Sequence, residues 1–362
     1  MKNSDSFFSN LASVKKTLII IPSVTSAIIA AFVIFFFWAS SKTLNKEEYK
    51  SGRIWEIPLQ QEKKKSGQSY KIVTYNMGYA SGMANNLAIK PGKDFYDKNL
   101  SLICSALNKK NPDIVTLQEI DFDSERSYNL NQAEYIAGNL GMQHAAYLPN
   151  WNKRYLPFPY WPPAVHYGKV NSGQAVLSRY TIISQKRHTL PEPASNSFFY
   201  NAFYLERLLQ ETVISINGRE IVVINVHLEA WDVKTREEHA RILVALYRQI
   251  SDKPVIIIGD FNSIPSYASK LNNFPEGEPA EDYTSDKTIS IVLAEKSLKM
   301  SIPEARYKKN EKLYFTYSSE KPYVSIDHIF YNEKIIPVQS DVVRDAGTGS
   351  DHFPVFFEFT LK

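Results

Sequence analysis

Eight polar residues sit where short apolar runs of the chain begin or end: Asn76, Glu119, His227, Asp260, Asn262, Asp327, Asp351 and His352. The runs carrying them, 71–76, 113–118, 220–227, 254–260, 326–331 and 355–361, together with 174–178, have the apolar, β-branched texture of buried or half-buried strands. Strand ends on one edge of a sheet converge, and ligands in such folds bind there. Oxygen donors such as Glu119 and Asp327 suit Mg²⁺, or Mn²⁺, which keeps several waters and binds through a few carboxylates plus phosphate oxygens. Two histidines and an Asp–Asn pair beside such an ion can activate water and stabilise charge on a five-coordinate phosphorus. Each residue alone has a plain structural explanation. Glu119 could be a solvated turn residue, His227 a core histidine, Gly259-Asp-Phe-Asn262 a simple turn and Asp351-His352 a loop cap. Their joint placement at strand ends is what carries the inference.

Residues that could hold this constellation in place are also legible. Leu100, Ile103, Cys104 and Leu107 repeat with helical spacing, and so do Ile242, Leu243, Leu246, Tyr247 and Ile250 after a capping region at Asp232. Composition, with 44% apolar and 22% charged residues, is that of a globular fold. The single cysteine, Cys104, excludes an internal disulfide framework and a cysteine-based zinc cluster. A formal net charge of +4 is too small to be the electrostatic footprint of a dedicated nucleic-acid binder.

The first 70 residues have a different texture. Residues 1–17 form a tail, and 18–39 form an uncharged apolar run, preceded by Lys15 and Lys16 and ending near Trp38. A hydrocarbon core about 30 Å thick needs about 20 helical residues, so this run can cross it. A cleaved signal peptide would have an apolar region of about 7–15 residues, although Ala39-Ser40-Ser41 could serve as a cleavage site. A retained single membrane span is the expectation. Lys and Arg counts on the two sides do not fix orientation; large domains translocate with little regard to charge, and the basic pair nearest the span lies before it, which places the bulk of the chain outside the cytoplasm. Residues 40–70 read as a polar tether, and 71–362 as the catalytic domain. No protein partner can be inferred.

At the strand-end residues the sequence resembles the endonuclease/exonuclease/phosphatase superfamily, which includes pancreatic-type deoxyribonucleases, abasic-site endonucleases, inositol polyphosphate 5-phosphatases and neutral sphingomyelinases. The matching segments are Val73-Thr-Tyr-Asn76, Val115-Thr-Leu-Gln-Glu119, Ser172-Gly-Gln-Ala-Val-Leu-Ser178, Asn225-Val-His-Leu228, Gly259-Asp-Phe-Asn262, Ile326-Asp-His328 and Ser350-Asp-His352, in the family's order. The resemblance implies an α/β fold, a four-layer sandwich of two packed mixed sheets flanked by helices. It implies that Glu119 is the principal Mg²⁺ ligand, with Asn76 contacting metal-bound water or phosphate. Asp260 would orient or deprotonate the attacking water, with Asn262 beside it. His352 would bond the scissile phosphate with Asp351 orienting its ring, Asp327 would lie near metal and leaving group, and His227 would be the second histidine, where abasic endonucleases carry tyrosine. Gln174 stands where relatives place Asn or Glu. Arg207 is a candidate phosphate contact, or alternatively an ion-pair partner of Glu206 or Glu211.

The superfamily does not fix a substrate. His227-Leu-Glu-Ala-Trp-Asp232, followed by Arg236, resembles a segment of bacterial sphingomyelinases, and the membrane span would hold the site near headgroups. Similarity to bacterial relatives of GPI-anchor lipid-remodelling proteins fits the same picture. The aromatic stretch 147–167 could enter an interface, cover the sheet or stack on unpaired bases. The expectation is a membrane-anchored phosphodiesterase or phosphatase acting on a phospholipid-type headgroup. The alternatives are an extracytoplasmic nuclease for DNA or RNA, and a catalytically inactive binding module.

Overall fold

Alternating β-branched runs and amphipathic helices build two sheets packed face to face in a computed structural model that describes residues 23–57, 69–275 and 281–362. In chain order the strands are β1 (Arg53–Glu56), β2 (Tyr70–Asn76), β3 (Ile114–Asp121), β4 (His144–Leu156), β5 (Gly168–Ser178), β6 (Thr181–Thr189), β7 (Leu208–Ile216), β8 (Arg219–His227), β9 (Val255–Asp260), β10 (Leu298–Met300), β11 (Asp327–Asn332), β12 (Ile335–Val342) and β13 (Val355–Leu361). One sheet has the order β1-β4-β5-β3-β2-β13-β12, the other β10-β11-β9-β8-β7-β6. Each mixes parallel and antiparallel neighbours: β2 with β3 and β8 with β9 are parallel. Helices Lys93–Lys110 and Gln132–Leu140 cover the first sheet and Val233–Ile250 covers the second, giving the expected four layers. Asp232 is the N-cap of the last of these, accepting from Thr235 N at 2.7 Å.

The two sheets meet through apolar side chains such as Ile72, Ile114, Ile256 and Ile258, and through a buried amide network nearer the site. Gln118 Nε2 donates to Asn225 Oδ1 at 2.5 Å, and Asn225 Nδ2 donates to Leu117 O and Gln210 Oε1 at 3.1 Å each. Polar groups with this many partners fix the register of one sheet on the other.

The segment expected to be a loose tether is folded where it is described. Asn45 caps a short helix, Lys46–Ser51, with a capping box closed by Glu48. β1 then extends the first sheet, pairing antiparallel with β4 from Arg53↔Tyr147 to Glu56↔His144. Polar composition hid this strand because its apolar residues, Ile54 and Trp55, are too few to show a period. Residues 58–68 of that segment, the tail 1–17 and the first residues of the apolar run lie outside the described residues. The rest of the run forms a helix, Ser23–Ser40, with mean hydropathy 2.0, long and apolar enough to cross a membrane.

Candidate active site

Sheet register brings the strand-end residues together. β8 and β9 set His227 beside Asp260, and β9 and β11 set Asp327 opposite Asp260. From the other sheet, β2 delivers Asn76 and β3 delivers Glu119. A bulge between Leu117 and Ile120, with Glu119 at φ +47°, turns that carboxylate out of the ladder toward the cleft. Gly259, at φ +143°, lies against Val226: a Cβ there would meet Val226 O at 2.1 Å, so the Gly-Asp-Phe-Asn turn can hold Asp260 only with glycine in that place.

The carboxylates are joined by one amide. Asn76 Nδ2 donates to Asp260 Oδ2 at 2.9 Å and to Glu119 Oε1 at 3.3 Å, while its Oδ1 accepts from Gly78 N at 3.1 Å. Asn76 therefore bridges the two acids rather than presenting its oxygen to a metal. Asn262 is tied by its N–H to Asp260 Oδ1 at 2.8 Å and by Nδ2 to Leu228 O at 3.1 Å. Burial, with Asp327 close by, pushes Asp260 up to about 7.

His352 is oriented by Asp327, not by Asp351 as its neighbour in sequence suggested. Its Nδ1 lies 2.9 Å from Asp327 Oδ2, and its Nε2 lies 3.9 Å from Asp260 Oδ2. Burial alone would lower His352; the carboxylates, Asp327 foremost, outweigh it and push the ring up to about 10, so His352 is an imidazolium at neutral pH. Asp351 faces the other way: it accepts from Asn85 Nδ2 at 3.1 Å, and the same nitrogen reaches Glu119 Oε2 at 3.3 Å. His227 is neutral, held well below its usual range by burial and then by the charge of Arg207, and its Nε2 lies 3.6 Å from Glu119 and 3.7 Å from Asp260.

Arg207 pairs with neither Glu206 nor Glu211. Its Nε lies 3.6 Å from Glu229, and Nη2 donates to Tyr204 Oη at 3.3 Å. Two of its nitrogens, Nε and Nη1, are buried without a hydrogen-bond partner, an arrangement that an anion in the cleft would complete. Gln174, expected at the substrate, is fully buried, and its Nε2 donates to Asn225 O at 3.1 Å. It supports the strand leading to His227 from beneath the cleft.

Among the described residues, two places bring possible metal donors together. Asp260, Asp327 and His352 offer ligand atoms within 4.8 Å of one another. The imidazolium of His352 already lies between the two carboxylates, and a cationic ring repels a metal ion. Glu119 and Asp351 are the better place. Burial and the nearness of Asp351 raise Glu119, which a cation between them would relieve. Asn85 touches both through Nδ2 while its Oδ1 is buried without a hydrogen-bond partner, and turning that amide over would present an oxygen ligand. Asn85 lies in a loop with no strand signal, so nothing in its sequence context marked it. Tyr204, a partner of Arg207, was missed for the same reason, whereas Glu229 stands within the His227–Asp232 segment but carries no sign there of its pairing with Arg207.

The sequence matches the model of the endonuclease/exonuclease/phosphatase family over residues 73–352. No curated protein matches it. Among solved structures the chain is similar to an endonuclease/exonuclease/phosphatase from Beutenbergia cavernae (17% identity, 82% of this chain and 72% of that one, TM-score 0.56). It is also similar to a mannosyl-6-phosphatase from Bacteroides thetaiotaomicron (19% identity, 81% and 100%, TM-score 0.54) and to the catalytic domain of human Nocturnin (15% identity, 88% and 100%, TM-score 0.52). At these identities the likeness is one of fold, whereas the family match covers the site residues from Asn76 to His352. The chain belongs to the endonuclease/exonuclease/phosphatase family and is a metal-dependent hydrolase of phosphate esters.

Proposed function

We propose that the protein is a single-pass membrane enzyme, its domain outside the cytoplasm, that uses Mg²⁺ or Mn²⁺ to hydrolyse a phosphate ester of a phospholipid-type headgroup. The observation carrying this reading is the junction between the apolar helix and the domain. Directly after the helix, Ser41 is bonded to Arg154 through Arg154 N→Ser41 O at 2.9 Å and Arg154 Nε→Ser41 Oγ at 3.0 Å. Thr43 and Leu44 donate to Asn152 at 2.6 and 3.1 Å. A helix fixed this closely to the catalytic domain keeps the cleft near the bilayer surface, where a lipid ester is the substrate within reach.

The side chains divide the reaction as follows. Asp260 takes a proton from water as the water oxygen bonds to phosphorus, and Asn76 and Asn262 hold its carboxylate in place. The phosphorus–oxygen bond to the leaving group breaks, and the leaving oxygen takes up a proton from solvent. His352, kept charged by Asp327, donates Nε2–H to a phosphoryl oxygen. Arg207 adds the N–H groups that have no hydrogen-bond acceptor, and His227 contributes an N–H without charge. Glu119 and Asp351, with Asn85, would hold the divalent cation, which supplies charge stabilisation at phosphoryl and leaving oxygens.

The test is headgroup release by the full chain in phospholipid vesicles, with plasmid DNA in parallel. Chelator-sensitive release from lipid supports the reading. Nicking of DNA with no lipid turnover would replace the substrate and keep the chemistry.

A further inference from the structure

We propose that the domain also rests on the bilayer through an aromatic face built around the last turn of the apolar helix, with Phe198, Phe199, Tyr160 and Trp161 entering the lipid interface. The inference rests on the reading of Ser23–Ser40 as a membrane span. Phe36 lies four residues before the end of that helix, about 6 Å along its axis. Its ring stands 5.9 Å from Phe198, 5.3 Å from Phe199 and 5.5 Å from Phe203, and Phe35 stands 5.8 Å from Tyr155. These domain aromatics are therefore level with the final turn of the span, not above it. If residue 36 is at the edge of the hydrocarbon, so are its neighbours.

The outward members of this group are unusually bare for their type: Phe198 is 65% exposed, Phe199 64% and Trp161 76%. Phe198 and Phe199 occupy a short helix started by Ser197, whose Oγ accepts from Tyr200 N, so both rings sit side by side on a fixed turn. Tyr160 and Trp161 form the tip of the loop after β4, which Phe158 anchors by packing on Tyr167. Both groups adjoin the helix, Phe198 and Phe199 through Phe36 and the loop through Phe35, Tyr155 and His166, and exposed aromatics of this kind mark a binding surface, Trp and Tyr favouring the headgroup level. A bilayer is the occupant argued for because the patch continues the surface of a helix already apolar enough to lie in one.

The face is coupled to the catalytic centre along the chain. Phe203 O accepts from Trp151 Nε1 at 2.8 Å, Tyr204 bonds Glu229, and Arg207 follows.

The experiment uses the full chain in vesicles of phosphatidylcholine with a minority of phosphatidylglycerol. The single native cysteine, Cys104, is buried and its thiol is pushed up to about 12, so an introduced cysteine takes a thiol-reactive, polarity-sensitive fluorophore selectively. Labels are placed separately at Phe199→Cys, Trp161→Cys, Ile29→Cys within the helix and Val338→Cys on the exposed edge strand β12. The proposal expects blue-shifted emission at 199 and 161, with loss of intensity to lipids carrying a nitroxide near the headgroup. Position 29 should respond to a nitroxide deep in the acyl chain, and position 338 should remain water-like. Water-like emission at 199 and 161, with 29 in lipid, overturns the aromatic face and leaves the span standing. Water-like emission at 29 as well overturns both.

Discussion

Replacing Asp327 with Asn should separate the charge of His352 from its position. The amide is nearly the shape of the carboxylate and its oxygen can still accept from Nδ1 of His352, which lies 2.9 Å from Asp327 Oδ2. What disappears is the negative charge that does most to raise the ring from 6.5 to about 10. Asp260 and Asp351 remain and continue to raise it, so we expect a fall of roughly two units, worth about 3 kcal/mol, in the proton affinity of His352. Below pH 6 the ring is protonated in both proteins, and any difference there reports Asp260, which also loses the charge of Asp327 and should titrate lower in the variant. Above about pH 8 the variant should lose activity about tenfold per pH unit while the parent holds its rate. Because any bound cation lowers the ring in both proteins alike, the difference between the two profiles isolates Asp327. The assay is kcat/KM for a phosphate ester against pH at saturating Mg²⁺. If the alkaline limb moves by less than about half a unit, Asp327 is not what keeps the proton on His352.

The remaining predictions concern the other charges in the cleft. Burial raises Asp260 from 3.8 to about 7, so between roughly pH 4 and 7 the folded protein holds a proton that the unfolded chain has released, and stability falls as pH rises through that window. Asp260→Asn should therefore melt no lower than the parent at pH 8 by calorimetry, while kcat falls about 10²–10⁴-fold. Glu119→Gln should raise the Mg²⁺ concentration needed for half-maximal activity by at least about tenfold, measured by metal titration after chelation. Arg207→Ala should lower kcat/KM by about 10- to 100-fold, the worth of charged hydrogen bonds to phosphate. It should also let His227 titrate nearer its ordinary range, as read from the NMR titration of the ring.

The parts of this site that were legible in the sequence are those carried by strand ends. Asn76, Glu119, His227, Asp260 and Asp327 each terminate or open an apolar run, and the register of β2 with β3, and of β8, β9 and β11, places them together. The pairing of His352 was not legible, for a geometric reason. Asp351 and His352 are adjacent at a bend, and their side chains take different partners, one Asn85 and the other Asp327. The partner of Arg207 depends on the β7–β8 hairpin, where Leu209 lies opposite Val226 and brings the residues just outside the ladder, Arg207 and Glu229, alongside. The folded segment before β2 was hidden because β1 is four residues long and gains its order from pairing with β4 rather than from any pattern of its own. Gln174 matched a motif by position, yet the two-residue alternation of β5 points it into the amide network between the sheets.

The central claim, water attack at phosphorus on a lipid ester, is tested most directly by isotope. The full chain in phospholipid vesicles, supplied with Mg²⁺ in ¹⁸O-water, should release a headgroup fragment whose phosphate carries one ¹⁸O by mass spectrometry. Chelator should abolish the release. A labelled alcohol with unlabelled phosphate, or no release from lipid in a preparation that hydrolyses a soluble phosphate ester, would contradict it.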